Sequence, residues 1–276
     1  MSRIAEQSGI VRRVPDRATP RSATLGSVAN AARVLKSFTA HDPVWGVTDM
    51  ARHLGIAKST AYRLLATLTE QGLLDQDPLT GRYRLGLVVF DLAAAVQSFD
   101  LHEAALTAMS DLRNRTGETV QVAVLDGREV VYVERLDSHH TLKVFLDVGR
   151  RNWINCTSTG KVLLAFASPQ VQERTLRGWQ LPSRTPFTIT DPAAFRAELA
   201  QVKRVGFAAN RQESALEVIS VAAPIRRVSG QVVAALSVAG PIDRMGPHEM
   251  SFAQAVVQSA AAISRRLGYR RSVGAA

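Results

Sequence analysis

The sequence predicts an α+β chain with more than one domain: three short helices closed by a β-hairpin, a helical connection, and an antiparallel sheet flanked by helices. Three observations lead there. Two apolar helical patterns meet at Gly55 in "ARHLGIAKSTAYRLLATLTEQGLL", and a turn-rich basic segment, "DQDPLTGRYRLG", follows at once. Farther along, valines alternate on both sides of Asp126-Gly127, the pattern of a hairpin. Finally, 276 residues with 46% apolar content are enough for two hydrophobic cores.

The first helix lies in "SVANAARVLKSF", where Val28, Ala32, Leu35 and Phe38 recur at helical spacing before the stop signal "HDP". The second, "VTDMARHLG", carries Val47, Ala51 and Leu54 on one face, with Thr48 expected as N-cap and Gly55 as terminator. A third begins near residue 58. Its apolar stripe is Ala61, Leu64, Leu65 and Leu68, and Ser59, Thr60, Arg63 and Thr67 fall on the other side. Leu73 and Leu74, the turn "DPLTG", and Arg82, Tyr83, Arg84 and Leu85 then form a hairpin with a basic arm. This order of elements describes a winged helix-turn-helix, whose third helix enters the major groove while the wing lies along the backbone. Lys58, Ser59, Thr60, Tyr62 and Arg63 are the expected DNA contacts, with Arg82 on the wing against phosphate and Arg52 from the second helix. Their hydrogen-bond donors suit phosphate oxygens and acceptor-rich base edges.

Charge agrees with a polyanionic partner. The chain has 34 Lys plus Arg against 24 Asp plus Glu, a net +10, and residues 1–85 hold 12 basic and 7 acidic side chains. Half of the excess thus falls in under half of the length, at the end where the helix-turn-helix lies. The first 24 residues, with Arg3, Arg12, Arg13, Arg17 and Arg21, form a basic arm expected to be flexible. A single cysteine, Cys156, rules out an intramolecular disulfide framework, and no apolar run has transmembrane length. The expected setting is the cytoplasm, with no membrane partner.

The segments "LGIAKSTAYRLLATLTEQGLL", "YRLG", "STGKVLLA" and "GFAANRQESALEVISVAAPIRRVSGQVVAALSVAGP" together resemble the IclR family of bacterial transcriptional regulators. The resemblance spans about residues 25–268. It implies operator DNA as a partner, self-association as a homodimer that can pair into a tetramer, and a GAF-like C-terminal domain that binds a small organic acid. The expected domains are the arm over 1–24, the winged helix-turn-helix over 25–86, a helical linker over 87–117 and the effector and oligomerisation domain over 118–270. Within the linker, Leu101, Ala105, Met109 and Leu112 mark a helix that Gly117 ends.

In the C-terminal domain, Val120, Val122 and Val124 alternate before the turn, and Val131 and Val133 after it. "LKVFLDVG" adds a strand, "TSTGKVLLAFAS" and "DPAAFRAELAQVKRVG" are helical, and "EVISVAAPI" and "VVAALSVAG" are buried strands around Ser229-Gly230. Residues 247–267 form a closing helix. Carried over from the resemblance, the effector pocket falls on Thr141, Val144, Ser158, Asn210, Val218, Ser220, Ser237 and Ala239. None of these is cationic, so a carboxylate would rely there on neutral donors and on backbone N–H groups at the helix start near Thr157. This chain departs from the family pattern at Asn210, Glu217, Arg226 and Arg227, so the resemblance does not fix the ligand.

Other chemistries find less support. Ser158 and Lys161 form Ser-x-x-Lys, the spacing by which a lysine activates a serine in some hydrolases, but the companion motifs of such enzymes do not follow. This hydrolase reading, and a DNA-binding module without an effector, are the two alternatives. His139-His140, His102-Glu103 and His248-Glu249 lack metal-ligand spacing, and no glycine-rich phosphate fingerprint occurs. No catalytic residue, metal or cofactor is expected.

Overall fold

The computed structural model describes residues 25–39, 41–95, 99–141 and 148–270, in two compact units, Met1–Ala95 and Val96–Ala276. The basic arm and most of the strand expected over 142–149 lie outside the described residues.

The first unit contains α1 (Gly26–Ser37), α2 (Val47–Leu54), α3 (Lys58–Glu70), β1 (Leu74–Gln76), β2 (Tyr83–Leu85) and α4 (Val88–Ala95). Its core gathers Val34, Phe38, Met50, Leu54, Leu65, Leu68, Leu74 and Tyr83. On α1 the buried face is turned from the expected one. Val34 is fully buried while Val28 is 62% exposed, because an Ala- and Val-rich helix offers several apolar stripes and contact with α3 selects among them. The start of α2 also differs. Its N-cap is Gly46, with Thr48 inside the first turn. Trp45 and Tyr83 exchange two backbone hydrogen bonds, of 2.9 and 2.8 Å, and this bridge fixes where the chain turns into the helix. At the other end Gly55 adopts φ 66°, a left-handed conformation that glycine takes without steric cost, and α3 begins three residues later.

The second unit contains α5 (Phe99–Thr116), β3 (Thr119–Asp126), β4 (Glu129–Leu136), β5 (Arg151–Trp153), α6 (Ser158–Ala165), α7 (Pro169–Leu176), α8 (Pro192–Val205), β6 (Ala208–Arg211), β7 (Val218–Arg226), β8 (Val232–Pro241), α9 (Ile242–Met245) and α10 (Glu249–Arg266). Six strands form one sheet in the order β5-β4-β3-β8-β7-β6, each neighbouring pair antiparallel. Side chains of α5 and α10 cover one face together with Val120, Val122, Val221, Leu236 and Val238. Side chains of α6 and α8 cover the other over Ala123, Tyr132, Ala222 and Ala235. Both faces are therefore buried, and the middles of β7 and β8 are buried without alternation. Of the residues 87–117 expected as a connection, α4 belongs to the first unit. Helix α5 belongs to the second, where Leu101, Ala105, Met109 and Leu112 enter the core.

Candidate functional site

The first unit presents a polar helix face beside a hairpin. Ala61, Leu65 and Leu68 bury one side of α3, so its 3.6-residue repeat turns Lys58, Ser59, Thr60, Tyr62 and Arg63 outwards, and all five are exposed. Ala57, the N-cap, offers no side-chain cap. The first N–H groups and the positive end of the helix dipole are thus left for an outside acceptor. The hairpin tip is held by Asp77, whose Oδ1 accepts from the N–H groups of Leu79 (2.8 Å) and Thr80 (2.9 Å). These bonds, that from Thr80 first, hold the Asp77 carboxyl below its ordinary value. Arg82 is exposed on this wing, its Nη2 3.5 Å from the carbonyl of Val44. Arg52 pairs with Asp49 across one turn at 3.5 Å, both side chains being largely exposed, a weak pair that a phosphate can replace.

The second unit holds a cavity of about 390 Å³ on the face of the sheet covered by α6 and α8. Pleat and register put it there. Gln121 faces Ser237 across β3 and β8, and Asn210, Ser220 and Ala239 follow one another across β6, β7 and β8. Side chains two residues apart share a face, so these polar groups lie on the same side as the apolar Ala123, Ala222 and Ala235. Gln121, Tyr132, Thr157, Asn210, Val218, Ser220, Ser237 and Ala239 line the cavity, and Arg150, Arg151 and Arg184 contribute charge.

Several of these groups have settled partners. Ser220 Oγ lies 2.8 Å from Ser158 Oγ. Asn210 Nδ2 donates to Ser214 Oγ at 2.9 Å, and Asn210 Oδ1 accepts from the N–H of Glu213 at 2.7 Å. Arg151 is held by Asp126 at 2.6 Å and Glu129 at 3.2 Å. Gln121 differs. It is buried, and its Nε2 has no hydrogen-bond partner among the described residues. Burial pushes the Tyr132 phenol up to about 12, with the Thr159 hydroxyl and then Arg150 pulling it back, so the phenol is neutral.

Among the expected pocket positions, Asn210, Val218, Ser220, Ser237 and Ala239 lie together on the cavity wall. Ser158 is outside the lining, and its Oγ bonds to Ser220, which lines it. Thr141 is exposed and outside the lining, and Val144 lies outside the described residues. None of the expected positions is cationic, and the cavity lining adds Arg150, Arg151 and Arg184, which come from loops and an edge strand that no periodic pattern marks. Gln121 escaped for another reason. In "TVQVAVLD" it occupies the polar phase of an alternation that normally points to solvent, but here both faces of the sheet are covered.

The start of α6 is built tightly. Its N-cap is Thr157, whose Oγ1 accepts from the Gly160 N–H at 3.2 Å, and a Cβ at Gly160 would stand 2.4 Å from Ile154 Cα. Lys161 is not hydrogen-bonded to Ser158, whose Oγ pairs with Ser220. Its Nζ donates to Glu213 Oε1 (2.7 Å), the Ala209 carbonyl (3.0 Å) and Glu198 Oε1 (3.2 Å). The Ser-x-x-Lys spacing therefore does not assemble a hydrolase dyad. Burial pushes the Glu213 carboxyl up from its ordinary value, and the Lys161 ammonium pulls the other way. Burial likewise pushes the Cys156 thiol up to about 11, which keeps it protonated and unreactive. No group of metal-ligating side chains occurs among the described residues, and no described helix is long and apolar enough to cross a membrane.

Comparison with known proteins places both units. Residues 27–78 match the IclR helix-turn-helix domain, and residues 93–265 match the bacterial transcriptional regulator IclR C-terminal model. The HTH-type transcriptional regulator XynR of Escherichia coli is 34% identical over 245 residues, covering 88% of this chain and 97% of XynR. The regulator BhcR of Paracoccus denitrificans is 32% identical, covering 83% of this chain and 82% of its own. The crystal structure of an IclR homologue from Microbacterium hydrocarbonoxydans, complexed with 4-hydroxybenzoate, superposes with a TM-score of 0.79 at 31% identity, covering 88% of this chain and 99% of that one.

Proposed function

This chain belongs to the IclR family of DNA-binding transcriptional regulators, and from that premise we propose that it answers to a small organic acid held in the second unit's cavity. The observation that carries this reading is the buried Nε2 of Gln121, which finds no hydrogen-bond partner among the described residues. A buried donor without an acceptor is costly, and a ligand oxygen in the cavity would supply one. Arg150 and Arg184 have no acidic partner among the described residues and suit a carboxylate. The ligand class that follows is an acid with a second polar oxygen. The volume suits one small molecule, and the 4-hydroxybenzoate bound by the Microbacterium neighbour belongs to that class.

The operator would be read by Lys58, Ser59, Thr60, Tyr62 and Arg63 of α3, with Arg82 and Arg52 on phosphates, in a homodimer able to pair further. Ligand binding would change operator affinity. Fluorescence anisotropy with DNA from upstream of the protein's own gene, against scrambled DNA of equal length, tests the first half; a preference of roughly 10³ that shrinks as salt rises is expected. A thermal-shift screen with organic acids tests the second, because a ligand that binds the folded state raises the melting temperature with concentration. Stabilisation by none of the hydroxy and oxo acids tried would leave a DNA-binding module without an effector.

A further inference from the structure

Lys161 and Glu213 are not explained by ligand contact, since neither lines the cavity. Lys161 is 1% exposed and among the largest fully buried side chains. Its ammonium is satisfied by Glu213, Glu198 and the Ala209 carbonyl. A buried ion pair gives little net stability compared with apolar side chains of similar size, because desolvation of both charges offsets their attraction. What such a pair does impose is a geometry.

The geometry in question is that of the turn between β6 and β7. Its residues Ser214, Leu216 and Glu217 form part of the cavity wall. Gln212 and Glu217, near its two ends, have φ of 63° and 61° and are the two non-glycine residues with positive φ among those described. Side chains make that conformation unfavourable, so neighbouring contacts must impose it. At Glu213 they converge: Asn210 Oδ1 accepts from its N–H at 2.7 Å, Thr188 Oγ1 donates to its carbonyl at 2.6 Å, and Lys161 holds its carboxylate at 2.7 Å. Lys161 stands on the helix whose cap, Thr157, lines the cavity. One rigid element therefore borders the cavity and fastens the turn beside it.

We infer that Lys161 is a positioning residue of the cavity: through Glu213 it holds the 212–217 turn in its constrained form as a wall, without touching what the cavity contains. The effect on ligand affinity rests on the ligand-binding reading given above, whereas the hold on the turn does not.

Hydrogen exchange on the full chain, without ligand, tests the hold. Lys161→Met leaves the Glu213 carboxyl unpaired, and the double variant Lys161→Met/Glu213→Met removes both charges at similar volume, which protects against simple misfolding. The expected result in both is exchange at least tenfold faster at the Glu213 and Glu217 amides, with Val221 and Leu236 in the sheet unchanged. Unchanged exchange in the turn of the folded double variant would overturn the inference. So would an equal loss of protection throughout the sheet in both variants, which would make the pair a general stabiliser. Titration with 4-hydroxybenzoate, followed by thermal shift, then reads the consequence, with affinity at least tenfold weaker in the double variant. Equal affinity overturns the claim that the turn's position matters for binding. A wild type that ignores this acid, with the turn loosened as expected in the variants, counts against the ligand assignment alone, and the exchange result stands.

Discussion

Both proposed recognition events would rest on single side chains. Arg63 projects from the exposed face of α3, and Arg63→Ala should weaken operator binding by about 1–3 kcal/mol if its guanidinium reads a guanine. An unchanged anisotropy titration would remove it from the reading face. Arg82→Ala should instead weaken operator and scrambled DNA alike and lower the salt slope by about 1, the signature of a phosphate contact. In the cavity, Gln121→Leu should leave the melting temperature equal or higher, because it deletes a buried amide donor that has no partner among the described residues. It should also abolish stabilisation by any acid that shifts the wild type. A marked loss of stability without ligand would show that the amide has a structural partner after all. Residues of this kind were unevenly legible. Those of α3 follow from helical periodicity, whereas Gln121, Arg150 and Arg184 meet only because register and loops bring them to one cavity.

Whole elements depend on a few close approaches. Gly160→Ala should cost about 1–3 kcal/mol by overpacking, since the new methyl would meet the Ile154 backbone, and chemical denaturation would measure it. A cost near zero would mean that the turn before α6 yields easily. The wing should also respond to pH. The folded value of Asp77 is depressed by backbone N–H groups, so its ordering of the turn is present above the ordinary aspartate range and is lost as pH falls through the folded value. The Thr80 amide resonance should therefore titrate with a midpoint below that of a free aspartate, and a midpoint at or above it would contradict the bonds to Leu79 and Thr80. The Gly55 corner, the Asp126-Gly127 hairpin and the long strands β7 and β8 were all legible, because turn chemistry and apolar runs are local signals. Helix α7 and strand β6 were not. One is a short segment of mixed polarity, and the other gains its partner only through β7.

At the scale of the molecule, the two units have separate cores, and damage to one should spare the other. Leu65→Ala, in the core of the first unit, should destabilise that unit by about 2–5 kcal/mol. Ligand-induced stabilisation of the second should persist in differential scanning calorimetry. Loss of both together would show that the units fold as one. Net charge acts over the same scale. With +10 overall, association with DNA should be fast at low salt and slow steeply as salt rises.

The sequence by itself determined the order of the first unit's helices and hairpin, the two-domain plan and the polar face of the third helix, since each arises from contacts between residues close in the chain or from a repeat that matches a helix or strand. The buried side of α1, the cationic contribution to the cavity, the Gln121 Nε2 that finds no partner among the described residues and the pairing of Lys161 with Glu213 were decided only by the tertiary structure. Each depends on which distant segments the sheet brings together and on whether a polar alternation meets water or another layer of protein.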